Sequence, residues 1–291
     1  MNKLASKYHT AVITVEGKVV CWDENAVIID EPRHIHMQCP KVPVDWENII
    51  SIGLGTNHIA ALTSDGHVIC SGNNEHKQCD VPPNLKNVIL ISCGHWSTSA
   101  LTSDGFIFCW GYIADNLPKG IFIPNGTFKH ISIGHSNVAA VTSEGKVICW
   151  GDPQRNQCNV PEGLDNVVMV NCGLSHTAAL TSEGRVVCWG DNTSGQCNVP
   201  VDLENVVQVC CGALHVIALT ADGRVVCWGD NASGQCNVPE NLLNIIVVCC
   251  GYLHTTVITE EGRVVCWGSN RDGQCNVPDG LVADTGMVVL M

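Results

Sequence analysis

Between Asn205 and Pro239 short apolar runs alternate with polar punctuation. Asn205–Gly212 and His215–Thr220 are apolar with β-branched residues, Ala221-Asp222-Gly223 follows, and Arg224–Trp228 resumes the apolar pattern. Such β-branched runs favour strands. An Asp-Gly pair between two of them is a hairpin signal. A polar turn, Asp230–Gly234, leads to a shorter run, Gln235–Val238, closed by Pro239. Proline suits the end of an edge strand, where no further ladder donor is needed. The pattern predicts four antiparallel strands. The first three are apolar on both alternating faces and must be covered on both sides.

The same pattern recurs along the chain. Its marker is Val-Cys-Trp-Gly, a polar turn and Gly-Gln-Cys-Asn-Val-Pro, cleanest from Val187 to Pro200. The Trp slot falls at Trp22, Ser71, Trp110, Trp150, Trp189, Trp228 and Trp267, at spacings of 49, 39, 40, 39, 39 and 39 residues. A fixed period of this length marks a repeat architecture. Four-stranded units stacked face to face about an axis are propeller blades. The expectation is one all-β domain over residues 1–291, a seven-bladed β-propeller of four-stranded antiparallel blades. Residues 8–22 hold only the second half of a unit and residues 276–291 only the first half. The N- and C-terminal strands are therefore expected to share one blade and close the ring. Two units break the pattern: ten extra residues fall within an irregular insertion at 23–46, and Gly120–Pro124 replaces the Gln-Cys-Asn phrase. Such loops are candidate contact surfaces.

Composition narrows the function classes. The net charge is −13 and the 15 Lys and Arg are scattered, so nucleic-acid binding is not expected. The same charge argues against anionic membranes, and no apolar run is long enough to span a bilayer. Met1–His9 has no apolar leader, which points to a cytoplasmic chain. Hydrophobic residues make up 45% but aromatics only 5%, so Val, Ile, Leu, Ala and Cys must build the core.

The unit Ala-Leu-Thr-x-[Asp/Glu]-Gly-[Arg/Lys]-Val-x-x-Trp-Gly-x-Asn-x-x-Gly-Gln, followed by Cys-Gly-x-x-His, resembles the repeat of the regulator of chromosome condensation family. The resemblance covers nearly the whole chain. The 39-residue units with Gln-x-x-Val-Pro look most like the family's compact seven-bladed branch, which includes a bacterial β-lactamase inhibitor protein. The resemblance implies a propeller that binds proteins. Nucleotide exchange on the Ran GTPase, the family's founding activity, uses a wedge loop with no counterpart here, so exchange is not expected. Propellers resembling this family also occur in large DNA viruses. This keeps open a second reading, a structural building block of a larger assembly or viral particle, self-assembling and disulfide-reinforced.

The 19 cysteines all sit in repeat slots. Seven precede the Trp slot, six follow Gln, four precede Gly, and Cys210 and Cys249 lie one residue earlier than the last group. The preferred reading is a small buried hydrophobe, which would leave most thiols reduced and slow to react. The second reading is a cross-strand disulfide in each hairpin, with Cys149/Cys158, Cys188/Cys197, Cys227/Cys236 and Cys266/Cys275 as pairs. Metal comes third, because no Cys-x-x-Cys occurs; the weak candidates are His34, His36 and Cys39. No cofactor is expected. The recurring Trp110, Trp150, Trp189, Trp228 and Trp267, and the recurring His176, His215 and His254, are read as structural, since buried polar groups need partners. Enzyme motifs are absent. The functional expectation is a non-catalytic scaffold that binds a protein partner.

Overall fold

The structure is a computed structural model that describes residues 4–7, 9–22, 40–112, 127–152 and 154–286. Its strands form seven three-stranded antiparallel sheets, each in sequence order. The sheets are Leu4–Ser6, Thr10–Ile13 and Val19–Trp22 (β1–β3); Ile49–Leu54, His58–Thr63 and Val68–Gly72 (β4–β6); Val88–Cys93, Trp96–Thr102 and Ile107–Tyr112 (β7–β9); Phe128–Ile133, Asn137–Thr142 and Val147–Gly151 (β10–β12); Val167–Cys172, His176–Thr181 and Val186–Gly190 (β13–β15); Val206–Cys211, His215–Thr220 and Val225–Gly229 (β16–β18); and Ile245–Cys250, His254–Thr259 and Val264–Gly268 (β19–β21). Among the described residues there is no helix.

Each sheet resembles a propeller blade. The middle strand is the most deeply enclosed: every residue of β14, β17 and β20 is buried. The first strands of all seven sheets line one axial cavity, through residues such as Leu4, Leu54, Cys93, Ile133, Cys172, Cys211 and Cys250. The core lies between sheets. Val206, Val209, Val216 and Ala218 of one sheet pack on Ala178, Leu180 and Val186 of the preceding one. This is the two-sided burial that the doubly apolar strands require.

Short local features set the repeat. Asn205 has φ 54°, as do Asn48, Asn87, Asn166 and Asn244 within two degrees, each directly before a first strand. Asparagine tolerates this left-handed region better than most residues. The bend lets Asn205 O accept from Ala221 N at 2.8 Å, while Val206 N reaches Gly184 O of the preceding sheet at 3.1 Å. Every first strand except β1 then carries a register shift two residues in, as between Val206 and Gln208.

Two expectations need correction. Among the described residues no fourth strand is formed; the described sheets have three strands. Gln196 and Cys197 lie in a turn, because their donors find local acceptors. Cys197 N donates to Asn192 Oδ1 at 2.8 Å, Ser194 N to Gln196 Oε1 at 2.9 Å and Asn198 N to Gly195 O at 3.0 Å. Side-chain amides thus replace a β-ladder. The second correction concerns the N-terminal sheet. Its first strand was expected from residues 287–291, which lie outside the described residues. The inner place is taken by Leu4–Ser6, with Leu4 opposite Val12 and Ser6 opposite Thr10. The C-terminal region adds a bridge between Thr14 and Ala283, and Asp284 N donates to Ile13 O at 2.8 Å. β1 lies against both β4 and β19. Of the irregular segments, 23–39 and 113–126 lie outside the described residues; 40–46 lead into β4.

Candidate functional site

The recurring histidines and tryptophans sit between sheets. His58 Nε2 lies 3.0 Å from Thr98 Oγ1, His215 Nε2 lies 3.2 Å from Thr255 Oγ1, and His254 Nε2 lies 3.0 Å from Thr10 Oγ1. In each case the threonine belongs to the next sheet. Each hydroxyl donates to a glutamine carbonyl: Thr98 to Gln78 O, Thr255 to Gln235 O and Thr10 to Gln274 O. A hydroxyl has one proton, so each imidazole must donate through Nε2–H. The tryptophans donate to carbonyls of the same glutamine slot. Trp189 Nε1 donates to Gln157 O, Trp228 to Gln196 O and Trp267 to Gln235 O, all at 3.0 Å. Asn137 uses the histidine slot in the same way, donating Nδ2–H to Thr177 Oγ1 at 2.9 Å. His176 is the informative exception. Its slot partner in the next sheet is Val216, and both its nitrogens are buried with no partner among the described residues. Burial pushes His58, His176 and His215 down to about 4 and His254 to about 3. Trp110 is buried, and Trp150 packs on Phe128 with centroids 6.3 Å apart.

The cysteines divide by depth. Cys93, Cys109, Cys172, Cys211 and Cys250 are buried; the hairpin cysteines are half-buried. Three hairpin pairs face each other across the outer edges of their sheets. Sγ–Sγ is 3.1 Å for Cys149/Cys158, 3.0 Å for Cys227/Cys236 and 2.6 Å for Cys266/Cys275. Cys188 and Cys197 share no such contact, and burial pushes Cys197 up to about 11. Cys21, in the same slot of the first unit, departs from the reading of buried free thiols: it is disulfide-bonded. Among the described residues no group of three or more His, Cys, Asp or Glu is arranged to hold a metal ion. The weak metal candidates His34, His36 and Cys39 lie outside them.

One surface breaks the repeat chemically. At the end of the third sheet where β7 turns into β8, His95 and Trp96 stand edge to face at 4.3 Å. His135, from the next sheet, is 4.4 Å from His95. His76 lies 4.9 Å from Trp96, and Tyr112 lies 5.8 Å from Trp96. Tyr112 is 47% exposed and His135 is also exposed. Burial holds His95 down to about 3 and lowers His135, so these rings are uncharged at neutral pH. The next unit repeats the histidine in this slot, His135-Ser136, while four other units read Thr56-Asn57, Leu174-Ser175, Ala213-Leu214 and Tyr252-Leu253. Sequence reasoning missed this patch because its members come from separate loops. The available signal was that two adjacent units carry His in one slot, His95 and His135, beside the departures at His76, Trp96 and Tyr112.

No curated protein matches the chain. Solved structures similar in fold include Prp20p of Saccharomyces cerevisiae, 20% identical over 78% of this chain and 73% of that one, with a TM-score of 0.67. The CRINKLY WD40 ectodomain of the Arabidopsis thaliana receptor kinase ACR4 is 21% identical over 92% and 97%, with a TM-score of 0.70. The ectodomain of the Physcomitrella patens receptor kinase CR4 is 19% identical over 93% and 74%, with a TM-score of 0.74. The family model for the regulator of chromosome condensation (RCC1) repeat matches residues 49–78, 128–157, 167–196, 206–235 and 245–274. These matches fill just over half of the sequence, and the chain belongs to the regulator of chromosome condensation repeat family.

Proposed function

We propose that the chain is a non-catalytic, protein-binding propeller that docks its partner through the patch of His76, His95, Trp96, Tyr112 and His135. The observation that carries this reading is the patch itself: five rings in contact, partly exposed, where the loop chemistry departs from the repeat. Interface hot spots are rich in Trp and Tyr. Symmetric repeat positions serve the fold, whereas a partner needs an asymmetric mark. Prp20p has binding properties to Gsp1p and histones and also occurs bound to Kap60, which supports a protein as the ligand class. The rigid frame belongs to the same reading. The Thr14–Ala283 bridge and the contacts of β1 with β4 and β19 support a ring closed by the two ends of the chain.

The test compares partners recovered from the source cells by three proteins. These are the unaltered chain, Trp96→Ala with Tyr112→Ala, and Val201→Ser with Leu243→Ser. Val201 and Leu243 are exposed at the opposite end of the sheets. A partner held by the first and third proteins and lost by the second supports the patch. A partner retained by the second, at unchanged thermal stability, overturns it.

A further inference from the structure

The segment after each third strand lies beside the sheet edge without a β-ladder. Among the described residues no backbone hydrogen bond joins Gln235–Val238 to β18 or Gln274–Val277 to β21. What holds each segment is side-chain chemistry. Cys236 N donates to Asn231 Oδ1 and Cys275 N to Asn270 Oδ1, both at 2.9 Å, and Cys79 N donates to Asn74 Oδ1 at 2.9 Å. The amide fixes the second cysteine over the third strand, where the first cysteine waits. The Sγ–Sγ separations are 3.0 Å for Cys227/Cys236, 2.6 Å for Cys266/Cys275 and 3.1 Å for Cys149/Cys158, whose unit has Pro153 in place of the asparagine. All are shorter than the ~3.5–4.0 Å of ordinary carbon contacts. Cys79, held by Asn74 in the same way as Cys236, has its thiol hydrogen-bonded to that of Cys70. A bonded pair needs about 2.05 Å, a small side-chain rotation away. Cys21 shows that a cysteine in this slot does form a disulfide.

We propose that Cys70/Cys79, Cys149/Cys158, Cys227/Cys236 and Cys266/Cys275 are sites of disulfide formation, one per hairpin, by exchange with a low-molecular-weight disulfide such as oxidised glutathione. The outer cysteine of each of the first three pairs is poised as the nucleophile. Hydrogen bonds from Cys70, Cys149 and Cys227 hold Cys79, Cys158 and Cys236 below the ordinary thiol range. The thiolate of Cys236 attacks one glutathione sulfur, the glutathione S–S bond breaks, and one glutathione thiolate leaves. Cys227 then gives up its proton and attacks the Cys236 sulfur of the mixed disulfide, and the second glutathione thiolate leaves. Two protein thiols are oxidised and one glutathione disulfide is reduced to two thiols, so atoms and electrons balance. The bond supplies the tether that the missing ladder does not.

The experiment uses the full chain. It is reduced, freed of reductant, exposed to excess oxidised glutathione, quenched by alkylation and mapped by mass spectrometry of non-reduced peptides. The expected map has bridges between cysteines nine positions apart at the four sites. Cys93, Cys109, Cys172, Cys211 and Cys250 are expected to alkylate only after denaturation. Cys227→Ser should remove one bridge, leave a glutathione adduct on Cys236 and spare the other three. Three results overturn the proposal: thiols unreacted at these sites, stable glutathione adducts without closure in the unaltered chain, or bridges joining different units or different molecules.

Discussion

His215 shows how one residue type serves a repeat. Its ring occupies the space a side chain at residue 212 would need: a Cβ on Gly212 would lie 2.2 Å from His215 Cε1. The Gly-x-x-His spacing is therefore a packing rule, and its polar end is met only where the next sheet offers threonine. His176 sits in the slot facing Val216 and is buried without a partner among the described residues. Val216→Thr restores the geometry of the His215–Thr255 pair, since the new hydroxyl would lie near Gln196 O, as Thr255 lies near Gln235 O. Satisfying a buried donor is worth about 1 kcal/mol, or roughly 2–4 °C in melting temperature. A variant that melts at or below the parent temperature would refute this account of the slot. The same residues set the acid response. The imidazoles at 58, 176, 215 and 254 titrate near 6.5 when unfolded and at about 4 or about 3 in the fold, because burial disfavours the charged form. Between those values the unfolded chain binds more protons, so stability is full above pH 6.5 and falls as pH drops toward 4. Thermal melts from pH 7.5 to 4.5 should show that decline. His176→Asn, which places at 176 the residue found at the Asn137 slot, should reduce the slope by about one proton.

At the scale of elements, the hairpin signals were legible and the fourth strand was not. The run His215–Thr220 matches β17 at both ends, and Asp222-Gly223 marks its turn to β18. Those strands were readable because β-branched runs and Asp-Gly turns act locally. Gln-Cys-Asn-Val has the alternation of a strand, yet Asn192 and Gln196 divert its amides into a turn, which a pattern of apolar and polar letters does not encode. β1 was missed because Leu4-Ala5-Ser6 is short and has no β-branched residue. The candidate site was less legible still. The aromatic patch exists only once four loops are brought together, and the thiol pairs could be named by slot but not brought into contact by sequence. The diverted amides carry a prediction. Asn231→Ala removes the acceptor of Cys236 N, at a cost of about 1 kcal/mol. Hydrogen exchange should then show Cys236 losing its protection while the β17 amides keep theirs. Equal protection at Cys236 in both proteins would mean that a ladder, not the asparagine, holds this segment.

For the whole molecule the question is whether seven similar sheets melt together. A repeat array stabilised only by neighbours loses cooperativity along its length. Here the first and last sheets also touch. Leu4, Val12 and Trp22 pack with Val247, Ile258, Val264 and Ala283, and Tyr252 N donates to Lys7 O at 2.5 Å. Leu4 is 3% exposed, so Leu4→Ala forfeits a buried leucine between those two sheets at a cost of about 2–5 kcal/mol. Two behaviours are distinguishable by calorimetry. If the contact closes the ring, the loss is shared, and the variant melts in one transition displaced downward by roughly 4–15 °C. If the N-terminal sheet is merely an appendage on an open array, it melts alone, as a small early transition before an undisplaced main one. The former is expected, because β1 lies against both β4 and β19 and so belongs to the same set of inter-sheet layers as every other first strand. An early separate transition would remove ring closure as the source of rigidity, and with it the argument that the aromatic patch is held on a fixed frame.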